Sequence, residues 1–133
     1  MSTLMSGSFL LDTNIVVGLF INDPAISRRF VRTADVFIAL PVLGELYYGA
    51  QKSNRVDDNL NRINRFLEDV AVIQNDATTA YEYGTIRNEL RLKGRPIPEN
   101  DLWIAAVARQ HNFTLVSCDA HFAEVDRLRW EQW

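Results

Sequence analysis

The stretch SFLLDTNIVVG (residues 8–18) decides how this chain folds. Its apolar run at residues 9–11 is short and stops at a polar turn, which predicts a buried strand. Asp12 follows the strand directly, and Thr13 and Asn14 come next. Because an aspartate in this position also caps helices, capping and a functional role both remain open for Asp12 at this point.

Short apolar runs and longer helical patterns alternate along the rest of the chain. Strands are predicted at residues 36–39, 70–73 and 114–116, and helices at residues 24–32, 42–52, 56–67, 78–93 and 98–111. The closing segment RLRWEQW leaves room for a short edge strand. Strands that alternate with helices are typical of parallel sheets with both faces covered. The sequence therefore predicts a three-layer α/β/α sandwich around a central, mainly parallel sheet.

Length and charge restrict the classes of function. The chain has 133 residues, enough for one domain with a core and too few for two ordinary ones. We therefore expect residues 1–133 to form a single domain. The net charge of -3 argues against a surface coated in basic residues for bulk nucleic-acid binding. Any RNA-binding site must therefore be a local patch of basic residues.

The cellular compartment is indicated by two simple features. The chain has one cysteine, Cys118, so it forms no intrachain disulfide. Its N-terminal MSTLMSGS lacks the basic start and the long apolar core of a signal peptide. No apolar stretch approaches the ~20 residues that span a bilayer. These features predict a protein of the reducing cytoplasm, without a membrane association.

Carboxylates occupy positions that a parallel sheet would gather at one edge. Asp12 and Asp119 follow the first and fourth predicted strands. Asp101 lies in the first turn of the last predicted helix, and Glu45 lies on the same helix face as Val42. Each has an ordinary alternative, as a cap, a turn residue, a complement to the helix dipole or an exposed acid. Since ligands gather at the carboxyl ends of parallel strands, convergence of these acids would create a site for a hard divalent cation such as Mg²⁺.

Four motifs together resemble a known family. They are LLDTN (10–14), PVLGELYYGA (41–50), ENDLWIAAVA (99–108) and LVSCDAHF (115–122). In this order and at these separations they resemble the PIN-domain ribonucleases, specifically the VapC toxins of bacterial toxin–antitoxin modules. The resemblance covers nearly the whole chain, and it implies a PIN-like α/β/α fold.

The resemblance also implies roles for individual residues. The acidic catalytic and metal-binding residues would be Asp12, Glu45, Asp101 and Asp119. Thr13 and Asn14 match the family's polar pair after the first aspartate, and Ser117 stands where the family has threonine or serine. The implied reaction is hydrolysis of an RNA phosphodiester by a water that Mg²⁺, or Mn²⁺, activates. No covalent nucleophile is needed.

The partners implied by the resemblance are an RNA substrate, a cognate VapB-like antitoxin and a second copy of the chain in a homodimer. RNA must still approach an acidic cleft, and a group of basic residues offers contacts with phosphate: Arg87, Arg91, Lys93 and Arg95. The alternative is that this group forms an ordinary solvated helix face.

Other reactive residue types carry weaker signals. Neither His111 nor His121 has a spaced partner that would indicate a zinc site. Cys118 has no histidine or metal motif beside it, so we expect a packing residue rather than a nucleophile.

Two rival functions remain open at this stage. A phosphatase of the haloacid dehalogenase type also places an aspartate after its first strand, as a covalent nucleophile. Asn14 stands where that family's second aspartate belongs, which weakens this alternative. The other rival is a PIN-like RNA-binding module that has lost catalysis. The presence of all four acids argues against it.

Overall fold

Parallel strands form the central sheet of the computed structural model, which describes residues 5–133. They are β1 (Met5–Leu11), β2 (Thr33–Ala39), β3 (Ala71–Ile73), β4 (Thr114–Val116) and β5 (Arg129–Glu131). Their order is β3-β2-β1-β4-β5, and every neighbouring pair is parallel. β1 is therefore the central strand, and Leu10 and Leu11 at its end are fully buried. The predicted fold class is confirmed.

Helices connect the strands. They are α1 (Thr13–Phe20), α2 (Pro24–Val31), α3 (Leu40–Gln51), α4 (Val56–Phe66), α5 (Ala77–Lys93) and α6 (Glu99–His111), and a 3₁₀ helix spans Ala120–Glu124. The chain runs outward from β1 to β3 and then crosses back to β4 on the other side of β1. Because such crossovers are right-handed, the reversal moves the later helices to the opposite face of the sheet.

Several boundaries differ from the predicted ones. The prediction contained no helix for α1, because its residues are apolar almost throughout and show no helical alternation with polar ones. α3 starts directly at the end of β2, and its early proline is compatible with a first helical turn. α5 starts at Ala77, where Asp76 and Thr79 form a capping box. The edge strand at the end of the chain is present as β5.

The most deeply buried helix is α6, which carries a predicted site residue in its first turn. Residues 104–108 of α6 have no exposed surface. Three of these five residues are alanines, whose small side chains let the helix approach its neighbours closely. The burial of α6 therefore determines the position of Asp101.

Part of the localisation prediction concerns the N-terminus. The first four residues, which carry half of the MSTLMSGS segment, lie outside the described residues. Across residues 5–133, no helix combines the length and the apolarity that a membrane crossing needs.

Candidate active site

An open cleft of about 430 Å³ lies at the carboxyl edge of the sheet. Its lining consists of Asp12, Thr13, Asn14, Val17, Glu45, Asp101 and Asp119. All four acids predicted from the sequence therefore line one cavity.

The order of the strands explains this convergence. β1 and β4 are neighbours, with Leu11 beside Val116, so the residues that follow them leave the sheet at the same point. The Asp12 amide donates to the carbonyl of Val116 at 2.9 Å and extends the strand pairing by one residue. Asp119 follows β4 after a short turn. Glu45 and Asp101 reach the same edge from the first half of α3 and the first turn of α6.

Asp12 is the most buried acid of the cleft, with 3% of its surface exposed. One carboxylate oxygen accepts a hydrogen bond of 2.8 Å from the backbone amide of Thr13, as the N-cap of α1. The other oxygen accepts 2.7 Å from the Ser117 hydroxyl. Asp12 thus caps a helix and also lines the cleft, so capping does not exclude a functional role, which stays a prediction.

Burial raises the pKa of Asp12 from its usual 3.8 to about 6, because the charged form loses water. This value already includes smaller effects: the hydrogen bonds from Ser117 and Thr13 lower the pKa of Asp12, and the charges of Asp101 and Asp119 raise it. The carboxylate therefore lacks a compensating positive charge. A cation in the cleft would supply one.

Asp101 has a related environment. Burial raises its pKa, and the charges of Asp119 and Glu45 add to this effect, while His121 opposes it. In two acids from different parts of the chain, burial thus raises the pKa most, and neighbouring negative charges add a smaller effect. This is the arrangement that a divalent metal ion stabilises, and carboxylate oxygens are ligands that Mg²⁺ and Mn²⁺ accept.

The predicted polar residues connect the ends of β1 and β4. The Asn14 side-chain amide lies 3.4 Å from oxygen atoms of Asp12, Ser117 and Asp119, and its oxygen accepts the amide of Cys118 at 3.2 Å. The Ser117 hydroxyl is fully buried and accepts the amide of Asp119 at 3.0 Å. Asn14 and Ser117 therefore fix the positions of Asp12 and Asp119 relative to each other.

Two side chains hold Glu45 from opposite sides. The Thr13 hydroxyl donates 2.8 Å to one carboxylate oxygen, and the Asn100 amide donates 3.0 Å to the other. Thr13 was a predicted supporting residue, whereas Asn100 was not singled out from the sequence. The available signal was its place beside Asp101 in the motif ENDLW.

His121 was also missed, because it has no partner at metal-ligand spacing in the sequence. In the structure its Nε2 lies 2.8 Å from an oxygen of Asp101. Asp101, Asp119 and His121 each offer one ligand atom, and these atoms all lie within 4.8 Å of one another. The signal in the sequence was the spacing DAH, which puts His121 on the turn that Asp119 begins.

The expectation that Cys118 packs in the interior is wrong, because its side chain is exposed. Partial loss of water around the thiol and the charges of Asp119 and Asp12 raise the pKa of Cys118. A thiol that resists ionisation is a poor nucleophile, so the second half of that expectation agrees with the structure.

The basic residues predicted to contact RNA lie outside the lining of the acidic cleft. Arg87 lies 3.8 Å from Glu99, and Lys93 pairs with Asp126 at 2.7 Å. Arg91 donates to the side-chain oxygen of Asn88 at 2.8 Å, and Arg95 is exposed beyond the end of α5. Contact between these residues and RNA stays a prediction.

Comparison with known proteins shows which family this chain is similar to. The PIN domain family model matches residues 9–128. A tRNA(fMet)-specific endonuclease VapC of Shigella flexneri is 38% identical over 128 residues, which cover 94% of this chain and 97% of that protein. Ribonuclease VapC2 of Haemophilus influenzae is 37% identical over the same length and coverage.

Two solved structures that this chain resembles are structures of VapBC, in line with the VapC relatives found by sequence. A chain in the crystal structure of VapBC2 from Rickettsia felis, bound to a DNA fragment from its promoter, superposes with a TM-score of 0.89. It is 32% identical, and the match covers 94% of this chain and 98% of that one. A chain of DNA-bound VapBC from Salmonella typhimurium gives a TM-score of 0.88 at 31% identity, with 96% and 99% coverage.

Proposed function

The chain belongs to the PIN-domain family, and on that premise we propose that it is a VapC-type toxin, an endoribonuclease that a cognate antitoxin neutralises. The reaction is hydrolysis of RNA phosphodiester bonds with Mg²⁺, or alternatively Mn²⁺, as the cofactor. The chain matches its curated VapC relatives over 97% of their length, which supports carrying over the whole activity.

One observation carries the metal-dependent part of the proposal. Four carboxylates from separate elements line one cleft, and the most buried of them, Asp12, has a pKa raised to about 6. Keeping these acids together opposes folding unless a cation compensates their charge. The donor set is all oxygen among these acids, which fits Mg²⁺ or Mn²⁺.

The bound metal would lower the pKa of a water molecule, orient the scissile phosphate and offset charge on the leaving oxygen. Asp12 and Asp101 would be the most direct ligands. Glu45, held by Thr13 and Asn100, would bind the metal or position the attacking water. Asp119 would support a second ion or its water shell, while Asn14 and Ser117 keep the ends of the two strands together.

The partners follow from the relatives. The Rickettsia felis and Salmonella typhimurium structures are VapBC complexes bound to DNA. We therefore propose that a VapB-like antitoxin binds this chain and suppresses its activity. The Shigella flexneri relative is named for tRNA(fMet), so initiator tRNA is the first substrate to test, with an elongator tRNA as the comparison.

We further propose that residues 1–133 form a single PIN-like domain that acts in the cytoplasm as a homodimer. Tyr47 and Tyr48 on α3 expose 36% and 67% of their surface and offer apolar area to a second copy. Limited proteolysis should leave the chain essentially intact, and light scattering at micromolar concentration should give twice the monomer mass. A monomer alone would contradict the homodimer.

The central experiment is chelation and restoration. The purified chain should cleave RNA, lose this activity in EDTA and regain it when Mg²⁺ or Mn²⁺ is added. Its melting temperature should rise with Mn²⁺ and stay unchanged in NaCl of matched ionic strength, because only an ion that binds the folded state shifts unfolding by mass action. Cleavage that survives exhaustive chelation would remove the metal from the mechanism.

Family membership excludes one of the two earlier alternatives, and the chelation experiment tests the other. Membership of the PIN-domain family removes the basis for a haloacid-dehalogenase-like phosphatase. A catalytically inactive RNA-binding module would bind RNA with every metal tested and release no cleavage product.

A further inference from the structure

We propose that the imidazole of His121 is a nitrogen ligand of the metal centre and raises its affinity for transition-metal ions relative to Mg²⁺. The inference rests on the proposed metal-dependent function and concerns a side chain outside the four predicted acids. It assigns to His121 a role that the sequence motif alone does not reveal.

The spacing of the ligand atoms supports the assignment. His121 Nε2 lies 2.8 Å from Asp101 Oδ2, and Asp101, Asp119 and His121 each offer one ligand atom within 4.8 Å of the other two. Adjacent ligands of an octahedral ion with bonds of 2.0–2.1 Å lie about 2.9 Å apart. The nitrogen and the Asp101 oxygen therefore already have the separation of two ligands that share one ion.

The state of Nε2 points in the same direction. This atom is buried from solvent, and it has no partner in hydrogen-bond geometry although the Asp101 oxygen is close. At this distance the contact is favourable when either a proton on the imidazole or a bound cation lies between the nitrogen and the carboxylate oxygen. A metal ion would satisfy the nitrogen and the carboxylates together.

The fold holds the ring in this position. His121 lies on the 3₁₀ helix that follows Asp119, and its neighbour Phe122 is 1% exposed. The rings of His121 and Phe122 lie 4.7 Å apart. Because Phe122 is anchored in the core, the turn holds the imidazole beside Asp101 and Asp119 without a large loss of side-chain freedom on binding.

The chemical consequence is a change in metal preference. Mg²⁺ takes oxygen ligands and keeps much of its water, whereas transition-metal ions also accept imidazole nitrogen. A site with only carboxylates would treat Mg²⁺ and Mn²⁺ more evenly. His121 should therefore raise the ratio of Mn²⁺ affinity to Mg²⁺ affinity.

The direct test is pulsed electron paramagnetic resonance on the full chain loaded with Mn²⁺. The wild type should show a ¹⁴N coupling to the metal that changes to a ¹⁵N coupling when histidine is ¹⁵N-labelled. His121→Gln should abolish the histidine coupling. His111→Gln is the matched control, because the second histidine of the chain is exposed, stacks on Phe113 at the far end of α6 and should leave the spectrum unchanged.

Calorimetric titration with Mn²⁺ and with Mg²⁺ gives a second readout. In His121→Gln the ratio of the two affinities should fall by about tenfold, and in His111→Gln it should stay at the wild-type value. Circular dichroism before each titration shows whether the variants are folded. The resonance experiment on the ¹⁵N-labelled wild type tests the coupling without any variant.

The outcomes separate this inference from the proposed function. If the wild type binds Mn²⁺ and cleaves RNA but shows no histidine coupling, His121 only pairs with Asp101 and the inference is wrong. If the wild type binds neither ion and cleaves RNA in EDTA, the metal-dependent function fails and the inference fails with it.

Discussion

Two clusters of charged side chains in this molecule differ in how their charge is balanced. The acidic cleft contains Asp12, Glu45, Asp101 and Asp119. The second, which we call the arginine cluster, contains Glu82, Glu89, Arg109 and Arg127. Both clusters contain more than one carboxylate, but only the arginine cluster matches each acid with an arginine.

In the arginine cluster the buried charge is compensated within the protein. The Arg109 side chain is 6% exposed, and its guanidinium lies 3.2 Å from Glu82 and 2.9 Å from Glu89. Arg127 adds a contact of 2.9 Å to Glu89. These ion pairs balance the buried charge within the protein and connect α5 to α6. In the acidic cleft the excess negative charge instead indicates a binding site for a cation.

The largest expected effect is the loss of RNA cleavage when an acid of the cleft is replaced. Asp12→Asn or Asp101→Asn removes charge from a proposed metal ligand at nearly constant volume, and the rate of RNA cleavage should fall by about 10³-fold or more. Asp35→Asn, at an exposed aspartate of β2, is the control and should cleave at the wild-type rate. Wild-type cleavage by either cleft variant would contradict the assignment.

The next largest effect is a loss of stability when the central arginine of the arginine cluster is replaced. Arg109→Met leaves Glu82 and Glu89 partly buried without their shared cation, so the free energy of unfolding should fall by about 3–5 kcal/mol. Urea denaturation measures this loss. Arg28→Met, at an exposed arginine of α2, is the control. At a temperature where Arg109→Met is still folded, its metal affinity should equal that of the wild type, since the cluster does not line the cleft.

A third effect depends on pH and sharpens the contrast. The pKa of Asp12 is raised from 3.8 to about 6, so the folded state holds its proton more tightly than the unfolded chain does. Asp12 therefore lowers stability progressively as pH rises from about 4 to about 6, and the full loss of up to about 3 kcal/mol persists above that range.

This pH dependence is measured in EDTA by urea denaturation. Asp12→Asn cannot ionise, so its stability relative to the wild type should increase across the same pH range and then level off. A difference that stays constant from pH 4 to pH 7 would show that Asp12 is not held in a charge-disfavouring environment.

The smallest effect concerns the side chain that positions Glu45. Asn100→Ala removes one of its two hydrogen-bond donors, and kcat should fall by about tenfold with little change in KM. Asn100→Asp should be worse, because it adds another negative charge beside Glu45. Asn61→Ala, on the exposed side of α4, is the control. Equal activity of Asn100→Ala and Asn100→Asp would argue against this positioning role.

The parts of the molecule that could be predicted are those with a local signal. The apolar run at 9–11 followed by Asp12 indicated both the central strand and the end of the sheet where ligands gather. The structure brings the four predicted acids to that edge, and it also keeps Asp12 as the cap of α1. α1 itself was missed because a nearly all-apolar segment has no helical periodicity to recognise.

The sequence by itself determined the alternation of strands and helices, three of the four acids at strand ends or helix starts and, through the order of its motifs, the family. The tertiary structure alone decided which side chains complete the site. Asn100 is 55 residues from Glu45, and His121, on the turn after β4, lies beside Asp101 in the first turn of α6 only in the folded chain. Hydrogen bonds and ligand contacts act over about 3 Å, so they depend on how whole elements pack, which no local pattern specifies.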